Sequence, residues 1–409
     1  MAALGRVLCE AIVHHYGRAE LLRRLSHPFW FQSFGAVMGM DWHSSGITTS
    51  VVGALKRGLA PVASELGVHV CGGRGRHSRA TPDELMAIAE RTGLPGDSLA
   101  RASRLIAKVD SAAVQDGFAL YLHAFVLSDD GMWCVVPQGM SDARGTARRY
   151  HWLSEGLASF VSAPHRAIEG ENRGVIVNLT DLRASAARDA QVALVHGGPD
   201  KVLSVLRRHA RDGNAALDLF AGAEPLPHLS LPAHHEVRAS DVLLRRLSAT
   251  LRAAADLGPI DFAELLLVPG VGARTVASLA SVAEIVHGAP SRFSDPARFS
   301  FAHGGKDGHP FPVPLRVYDE TIRVLKSAVD QAKLGREDKL HAIARLDRQA
   351  RALEAEAQPR SETFEDIVAR ERSHSRSYGG RSVQQPKRPR PAHEDQLRLP
   401  GLRRSRSQA

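Results

Sequence analysis

The chain has 409 residues, a formal net charge of +9, 44% hydrophobic residues and 24% charged residues. These values are typical of a folded protein of two or three domains, and they exclude a low-complexity disordered chain. No apolar run reaches the roughly 18 residues that a membrane-spanning helix needs, so no membrane partner is expected. The N-terminus lacks a signal-peptide pattern and the three cysteines lie far apart, which predicts reduced thiols in a cytoplasmic protein.

The excess positive charge is concentrated at the C-terminus. Residues 371–409 contain ten basic and three acidic residues, so this stretch carries +7 of the net charge of +9. A nucleic-acid partner is therefore suggested mainly by the tail. The alternative is a solvated, disordered terminus without a partner of its own.

Helix and strand patterns alternate over residues 1–195, which predicts an α+β domain. Helices are expected over 1–25 and 50–66, from the spacing of the apolar residues. Another helix is expected to begin at a capping Thr81 followed by Pro82. Strands are expected at 68–71, at 118–127 and 132–136 as a β-hairpin around Gly131, and at 175–179.

A second, all-α domain is predicted over residues 237–350. Helices are expected at 200–212 and 239–257, on either side of a Pro- and His-rich linker, and over 317–357 with a break at Gly335. Beyond residue 357 polar residues, Arg and Pro dominate, so no core is expected there. The predicted organisation is an α+β domain at 1–195, a linker region at 196–236, an all-α domain at 237–350 and a disordered basic tail at 351–409.

The strongest functional motif is a helix-hairpin-helix pattern at residues 263–280. Pro269 ends the first apolar helix, because proline lacks the N–H that the helix would need. Gly270 and Gly272 permit a tight turn and leave the backbone bare, so a phosphate can approach the free N–H groups of the second helix. An ordinary glycine turn between two helices is the alternative. The predicted DNA-binding residues are Pro269, Gly270, Val271, Gly272, Ala273, Arg274 and Thr275.

Carboxylate and imidazole side chains in the first domain predict a candidate metal site. Such groups can hold Mg²⁺ or Mn²⁺, which activates water or polarises a phosphate, and a lysine can neutralise the developing charge. The predicted metal ligands are Asp41, His43, Asp110 and Asp116, and the predicted catalytic set adds Lys108 and His123.

Each of these residues also has a structural interpretation. Asp41 and His43 would cap their own loop, Asp110 and Asp116 would cap a helix, and His123 would be a half-buried strand histidine. The spacing matches no standard metal motif, and the nuclease pattern of Asp followed by Glu-X-Lys is not present in that form.

A glycine- and arginine-rich stretch follows the first predicted strand. The sequence Gly72-Gly73-Arg74-Gly75-Arg76-His77-Ser78-Arg79 offers backbone N–H groups and arginines that can bind phosphate. It lacks the Lys-Ser/Thr pair of a nucleotide-binding loop, so ATP binding is not expected.

Several blocks together resemble one bacterial and archaeal family, domain of unknown function 763. The resemblance covers residues 10–345 and implies the same division of the fold, but it implies no particular activity. Family members begin with several dozen further residues, including a Leu-Pro-Leu-His stretch, so the resemblance implies that this chain starts inside the helix that follows. The matching stretches are His27-Pro28-Phe29-Trp30-Phe31-Gln32, Asp41-Trp42-His43-Ser44-Ser45-Gly46, Ala107-Lys108-Val109-Asp110, Val114-Gln115-Asp116-Gly117, Gln138-Gly139-Met140, Arg149-Tyr150-His151-Trp152, the hairpin, and Asp295-Pro296-Ala297-Arg298 to Pro310.

The tail contains a second, shorter resemblance. Gln396-Leu397-Arg398-Leu399-Pro400 is similar to the peptide by which bacterial DNA-processing proteins dock on the replicative sliding clamp. An extended peptide of this kind would place Gln396, Leu397 and Leu399 in a surface groove, tethered by flexible chain.

Three functions remain open at this point. The first is a metal-dependent DNA nuclease or phosphodiesterase, in which the hairpin holds the substrate and the carboxylates hold Mg²⁺ or Mn²⁺. The second is a non-catalytic DNA-binding scaffold or adaptor in DNA repair, recruited to the replication machinery. The third is a small-molecule enzyme in which the hairpin is incidental. The nuclease would be favoured if five of these side chains converge in one cleft, and the scaffold if they are scattered. The five are Asp41, His43, Asp110, Asp116 and His123.

Overall fold

The computed structural model describes residues 1–40, 46–141, 145–211, 239–297, 315–332, 335, 338–339 and 341–345. Within these ranges no helix is long and apolar enough to cross a membrane. Residues 1–361 form one compact unit. The predicted linker segment at 224–236 and the predicted tail at 351–409 lie outside the described ranges.

The N-terminal region is helical, but the predicted long helix over 1–25 is wrong. Gly17 takes a left-handed φ of 86° and divides that segment into two helices. The predicted helix over 50–66 likewise begins earlier and ends in a 3-10 turn at Ala60–Val62. These helices are α1 (Ala2–Tyr16), α2 (Arg18–Leu25), α3 (Pro28–Val37), α4 (Ile47–Leu59) and α5 (Ala63–Leu66).

A six-stranded antiparallel sheet forms the centre of the α+β region. Its strands run in the order β1-β3-β4-β6-β5, with β7 beside β6. The predicted β-hairpin is confirmed as β3 and β4, which pair from Phe125 opposite Val135 to Leu127 opposite Trp133. Strands β5 to β7 were not predicted. The strands are β1 (Val68–Arg74), β3 (Ala119–Ser128), β4 (Trp133–Val135), β5 (Gln138–Ser141), β6 (Thr146–Leu153) and β7 (Ala167–Glu169).

Three helices lie between β1 and β3. They are α6 (Arg76–Arg79), α7 (Thr81–Thr92) and α8 (Gly96–Lys108), and α8 continues as a π-helix over Val109–Ala113. Thr81 does not cap α7 as predicted; Ala80 precedes the helix, and the Thr81 hydroxyl donates to the carbonyl of Ser78.

A second, three-stranded sheet joins the first region to the predicted all-α region. It consists of β2 (Val114–Gln115), β8 (Val175–Asn178) and β9 (Arg292–Ser294), in the order β2-β8-β9. Because β9 belongs to the segment predicted as all-α, that segment is not purely helical.

The remaining helices are α9 (Ser185–His196), α10 (Pro199–Arg211), α11 (Ala239–Leu257), α12 (Phe262–Leu267), α13 (Ala273–His287) and α14 (Leu315–Gln331). Of these, α9 was not predicted, whereas the others lie close to the predicted positions. The predicted second helix after Gly335 is described only as helical residues at 338–339 and 341–345.

One hydrophobic core contains residues from both predicted domains. Leu105 of α8 and Leu194 of α9 belong to the same buried cluster as Leu251 of α11 and Leu279 of α13. An independent all-α domain is therefore not seen in the described part of the chain. The opposite face of the large sheet packs on α1 to α4, together with Leu325 of α14.

Candidate nucleic-acid interface

The hairpin lies between α12 and α13, over residues 268–272. Gly270 has a left-handed φ of 85°, and a Cβ built there would lie 3.2 Å from Thr250 Oγ1. Gly272 differs from it, because its φ of −149° is open to any residue and a Cβ built there meets no atom within 4 Å. Val271 between them is buried at 1% exposure and packs in the core under the loop. The bare backbone at Gly272 thus faces open space.

The first turn of α13 leaves its backbone N–H groups without partners inside the helix. Gly272 is the N-cap residue, and no side chain caps the helix there. The first backbone bond of the helix runs from the Val276 N–H to the Gly272 carbonyl, so the N–H groups of residues 273–275 precede it. These groups form the positive end of the helix dipole. Pro269, Ala273 and Arg274 are exposed, whereas the Thr275 side chain is buried.

Two side chains from the α+β region hold the loop from below. The Lys108 ammonium donates to the Val271 carbonyl, and Gln115 Nε2 donates to the Ala273 carbonyl at 2.9 Å. Burial lowers the pKa of Lys108. Lys108 was predicted as a catalytic charge, but in this structure its ammonium donates to the Val271 carbonyl. The N–H groups of residues 273–275 have no partner inside the helix.

Helix α8 presents basic side chains that lead up to this loop. Arg101, Arg104 and Lys108 follow one another at the spacing of one helix face, and Ser111 of the π-helix continues it. Arg101 and Arg104 are exposed, and neither has an ion-pair partner within the described residues. A rise of about 1.5 Å per residue places Arg104 roughly 6 Å and Arg101 roughly 10 Å from Lys108 along the helix.

Asp110 is a buried structural residue in this structure. Its carboxylate accepts from Trp152 Nε1 at 3.1 Å and bonds His165 Nε2 at 2.6 Å. Burial raises the pKa of Asp110, and the neighbouring His165 opposes that shift. The residue is completely inaccessible to solvent, so it is not placed to receive a metal or a substrate.

Asp116 lies close enough to Asp110 for the two carboxylates to interact, but it has hydrogen-bond partners of its own. One carboxylate oxygen accepts from Arg148 at 2.7 Å and from the Tyr150 hydroxyl at 2.6 Å, and the other accepts from the Phe118 N–H at 3.0 Å. Arg148 is itself fully buried and also pairs with Asp295 at 2.7 Å. This ion-pair network joins β6 to the segment that follows β9.

His123 lies inside the sheet, away from both carboxylates. Its Nε2 is 3.0 Å from the Ser103 hydroxyl, and its Nδ1 has no partner within the described residues. Burial lowers the pKa of His123 to about 4, so the ring is neutral at pH 7. The structural interpretation of the sequence made His123 a half-buried strand histidine; in the structure it is almost fully buried.

The predicted metal site does not assemble from the residues that are described. Asp110 and Asp116 have their oxygens committed to hydrogen bonds with different partners, so they do not fit Mg²⁺ or Mn²⁺ ligation. Within the described ranges no group of three or more His, Cys, Asp or Glu side chains is arranged to hold a metal. Asp41 and His43 lie outside those ranges, as do Gln396, Leu397 and Leu399 of the clamp-binding peptide.

Several residues of the interface and its supports were missed from the sequence. Arg148 and Tyr150 stand in the strand β6, whose eight residues are all buried. Alternation of polar and apolar residues did not mark this strand, because its arginines and histidine are buried with partners. Arg101 and Arg104 were overlooked as well, although their spacing with Lys108 was readable in the sequence.

The comparisons with known proteins bear on the family alone. The model of the family described as protein of unknown function (DUF763) matches residues 1–313, about three quarters of the chain. Comparison with curated proteins and with solved structures found no match. The extent of the family match carries the assignment: this chain is a member of the DUF763 family.

Proposed function

We propose that this protein binds the sugar–phosphate backbone of DNA through the hairpin face, defined as loop 268–272, the first turn of α13 at 273–275, and Arg101 and Arg104 of α8. One observation carries the proposal. Lys108 donates to the Val271 carbonyl and Gln115 donates to the Ala273 carbonyl. The N–H groups of residues 273–275, in contrast, have no helical partner and lie next to open space at Gly272.

A helix start of this kind favours an anion. Its N–H groups and dipole together attract phosphate without reading a base, so we expect binding that depends little on sequence. Arg274 adds a positive charge in the same turn and is exposed. The exposed arginines of α8 extend the positive surface away from the loop.

Salt dependence provides a quantitative expectation. Each phosphate neutralised on duplex DNA contributes a slope of about −0.9 to the plot of log affinity against log salt. Arg101, Arg104 and Arg274 with the N–H groups of the first turn supply three to four contacts, so we expect the hairpin face by itself to contribute roughly −3 to the slope.

The test measures binding of the full chain to a labelled 20-base-pair duplex, with Gly272→Val and Arg274→Glu beside the wild type. Valine at 272 fits the backbone conformation and meets no neighbour, so folding is unaffected while its side chain keeps phosphate away. We expect each variant to bind roughly ten-fold more weakly, as losing a charge-assisted hydrogen bond implies. The matched control is Arg323→Glu on α14, which packs on the opposite face of the large sheet, and this variant should bind as the wild type does.

Unfolding curves of the same variants separate binding from stability. Equal affinity of Gly272→Val and the wild type, with intact folding in both, would contradict the proposal. Equal losses in Arg274→Glu and Arg323→Glu would also contradict it, because the effect would then come from net charge alone.

DNA cleavage is a separate proposal that needs ligands other than Asp110 and Asp116. The candidates from the sequence are Asp41 and His43. Incubation of labelled single-stranded, duplex and branched DNA with Mn²⁺ or with EDTA tests it. Cleavage that requires Mn²⁺ and is lost in Asp41→Ala would support a nuclease, and no cleavage of any substrate would end that proposal.

A further inference from the structure

The end of strand β1 continues into a second basic segment, here called the basic turn, residues 73–79. Arg74, Arg76 and Arg79 are exposed, as is His77 between them. The backbone reverses at Gly75, whose N–H donates to the Tyr121 carbonyl at 2.9 Å. The basic turn is therefore fixed to the end of the sheet and displays three positive charges outward.

These arginines have no carboxylate partner within the described residues. Glu84, which accepts from the Gly72 N–H at 2.9 Å just before the basic turn, is paired with Lys56 at 2.7 Å. Arg74 stacks over the Tyr121 ring, with its guanidinium carbon 5.7 Å from the ring centroid. Arg76 and Arg79 form no such contact, so their charges are free for an external anion.

The basic turn and the hairpin face both contact the chain near the start of β3. Tyr121, which accepts from Gly75, is six residues beyond Gln115, which donates to the Ala273 carbonyl. Six residues of chain span at most about 20 Å even when fully extended. Gln115 and Tyr121 are therefore at most about 20 Å apart. The hairpin face contacts the first of these residues and the basic turn contacts the second.

We propose that the basic turn is a second contact for the backbone of the same nucleic-acid molecule that the hairpin face binds. The inference rests on the proposed function and extends it to a bipartite site. A separation of at most about 20 Å between the anchoring residues corresponds to at most about six nucleotides at 3.4 Å per nucleotide of one strand. Contacts at two points on one molecule raise affinity through effective concentration, so each contact can be weak alone.

The experiment compares Arg76→Ala/Arg79→Ala with the wild type in the full chain, on a 20-base-pair duplex and on a 20-nucleotide single strand. Arg74 is left in place because it packs on Tyr121. The control is Arg323→Ala/Lys326→Ala, which removes the same charge from exposed positions on α14. Gly272→Val serves as the reference for loss of the hairpin contact.

Two lost phosphate contacts should weaken duplex binding roughly ten-fold near physiological salt and flatten the salt slope by about 1.8. On the single strand the slope change should be smaller, about 1.4 for the two contacts. The control variant should retain both the affinity and the slope of the wild type.

Each alternative outcome has a distinct meaning. Wild-type affinity in Arg76→Ala/Arg79→Ala, with weakened binding in Gly272→Val, would overturn the bipartite site and leave the hairpin proposal standing. Weakened binding in the basic-turn variant, with wild-type affinity in Gly272→Val, would overturn the hairpin proposal and the bipartite site with it. Equal losses in the basic-turn and control variants would overturn a specific contact at the basic turn.

Discussion

The hairpin loop and the carboxylates Asp110 and Asp116 both stood out in the sequence, yet their environments in the structure are opposite. At the hairpin face, polar backbone groups are exposed and lack helical partners, and the exposed arginines are unpaired within the described residues. In the networks, Asp110 and Asp116 are buried, and their oxygens accept hydrogen bonds from nearby side chains. The unpaired groups of the hairpin face can still form hydrogen bonds and ion pairs with a ligand. The paired groups of the networks instead stabilise the fold.

The difference lies in partners more than in residue type. A carboxylate and a histidine close in sequence predict a metal site only if the fold leaves their ligand atoms free. Here Arg148 and Tyr150 supply the counter-charge and the donor for Asp116. Asp110 has Trp152 and His165. The predictions below test whether the networks serve stability and the hairpin face serves binding.

The largest effect is expected from breaking the Asp116–Arg148–Asp295 network. Arg148→Met would leave two buried carboxylates without their counter-ion, which costs about 3–5 kcal/mol in the free energy of unfolding. Urea-induced unfolding of the variant and the wild type measures this loss. The control is Arg183→Met, which removes an exposed partner of Asp181 and should cost at most about 1 kcal/mol.

A loss below about 1 kcal/mol in Arg148→Met would mean that the network does not hold the fold. Asp116 would then again be a candidate for a functional role, and the contrast with the hairpin face would disappear.

The next effect concerns pH and the buried His123. Its folded pKa of about 4 lies below the unfolded value near 6.5, so the unfolded chain binds more protons between these values. Stability from this group is complete above pH 6.5 and is lost as the pH falls towards 4. Between pH 7 and pH 5 the loss is about 2 kcal/mol.

Unfolding of wild type and His123→Gln at both pH values isolates this contribution. The variant should lose about 2 kcal/mol less than the wild type between pH 7 and pH 5. An identical pH dependence in the two proteins would show that His123 is not held neutral by burial.

A somewhat smaller effect is expected on the binding side. Arg101→Glu/Arg104→Glu reverses two exposed charges of α8 and should weaken binding to duplex DNA at least ten-fold, about 1.4 kcal/mol. The unfolding midpoint should stay within error of the wild type, because neither side chain has a partner within the described residues. Unchanged affinity with unchanged folding would remove α8 from the hairpin face.

The smallest effect on DNA affinity is expected from the clamp-binding peptide. Gln396→Ala/Leu399→Ala keeps all the charges, so binding to DNA should change less than two-fold while recovery with the sliding clamp is lost. A pull-down with the purified clamp measures the second quantity. Equal recovery of variant and wild type would end the clamp proposal.

Sequence patterns correctly located the elements that turn residues and the spacing of apolar residues indicate. The Asp129-Asp130-Gly131 turn between two apolar runs correctly indicated the pairing of β3 with β4. Helix α11 also ended at Leu257, as its apolar spacing predicted. These signals are local, so they survive without knowledge of the rest of the fold.

The missed features depend on contacts between distant residues. Strand β6 contains Arg148 and Arg149, which pair with Asp295 and Glu169 in the interior. Likewise, nothing near Lys108 in the sequence indicated that it would reach the Val271 carbonyl, which lies 163 residues later. The core shared by α8 and α13 could not be read from two separate apolar patterns either.

Hydrogen exchange of the hairpin loop tests the central claim most directly. The measurement follows the peptide that spans residues 268–276 in the full chain, with and without a saturating 20-base-pair duplex. We expect the free N–H groups of residues 273–275 to exchange rapidly alone and to be protected by DNA, while peptides from α4 stay unchanged. DNA binding that leaves exchange at 273–275 unchanged would contradict the claim that the hairpin holds the phosphate backbone.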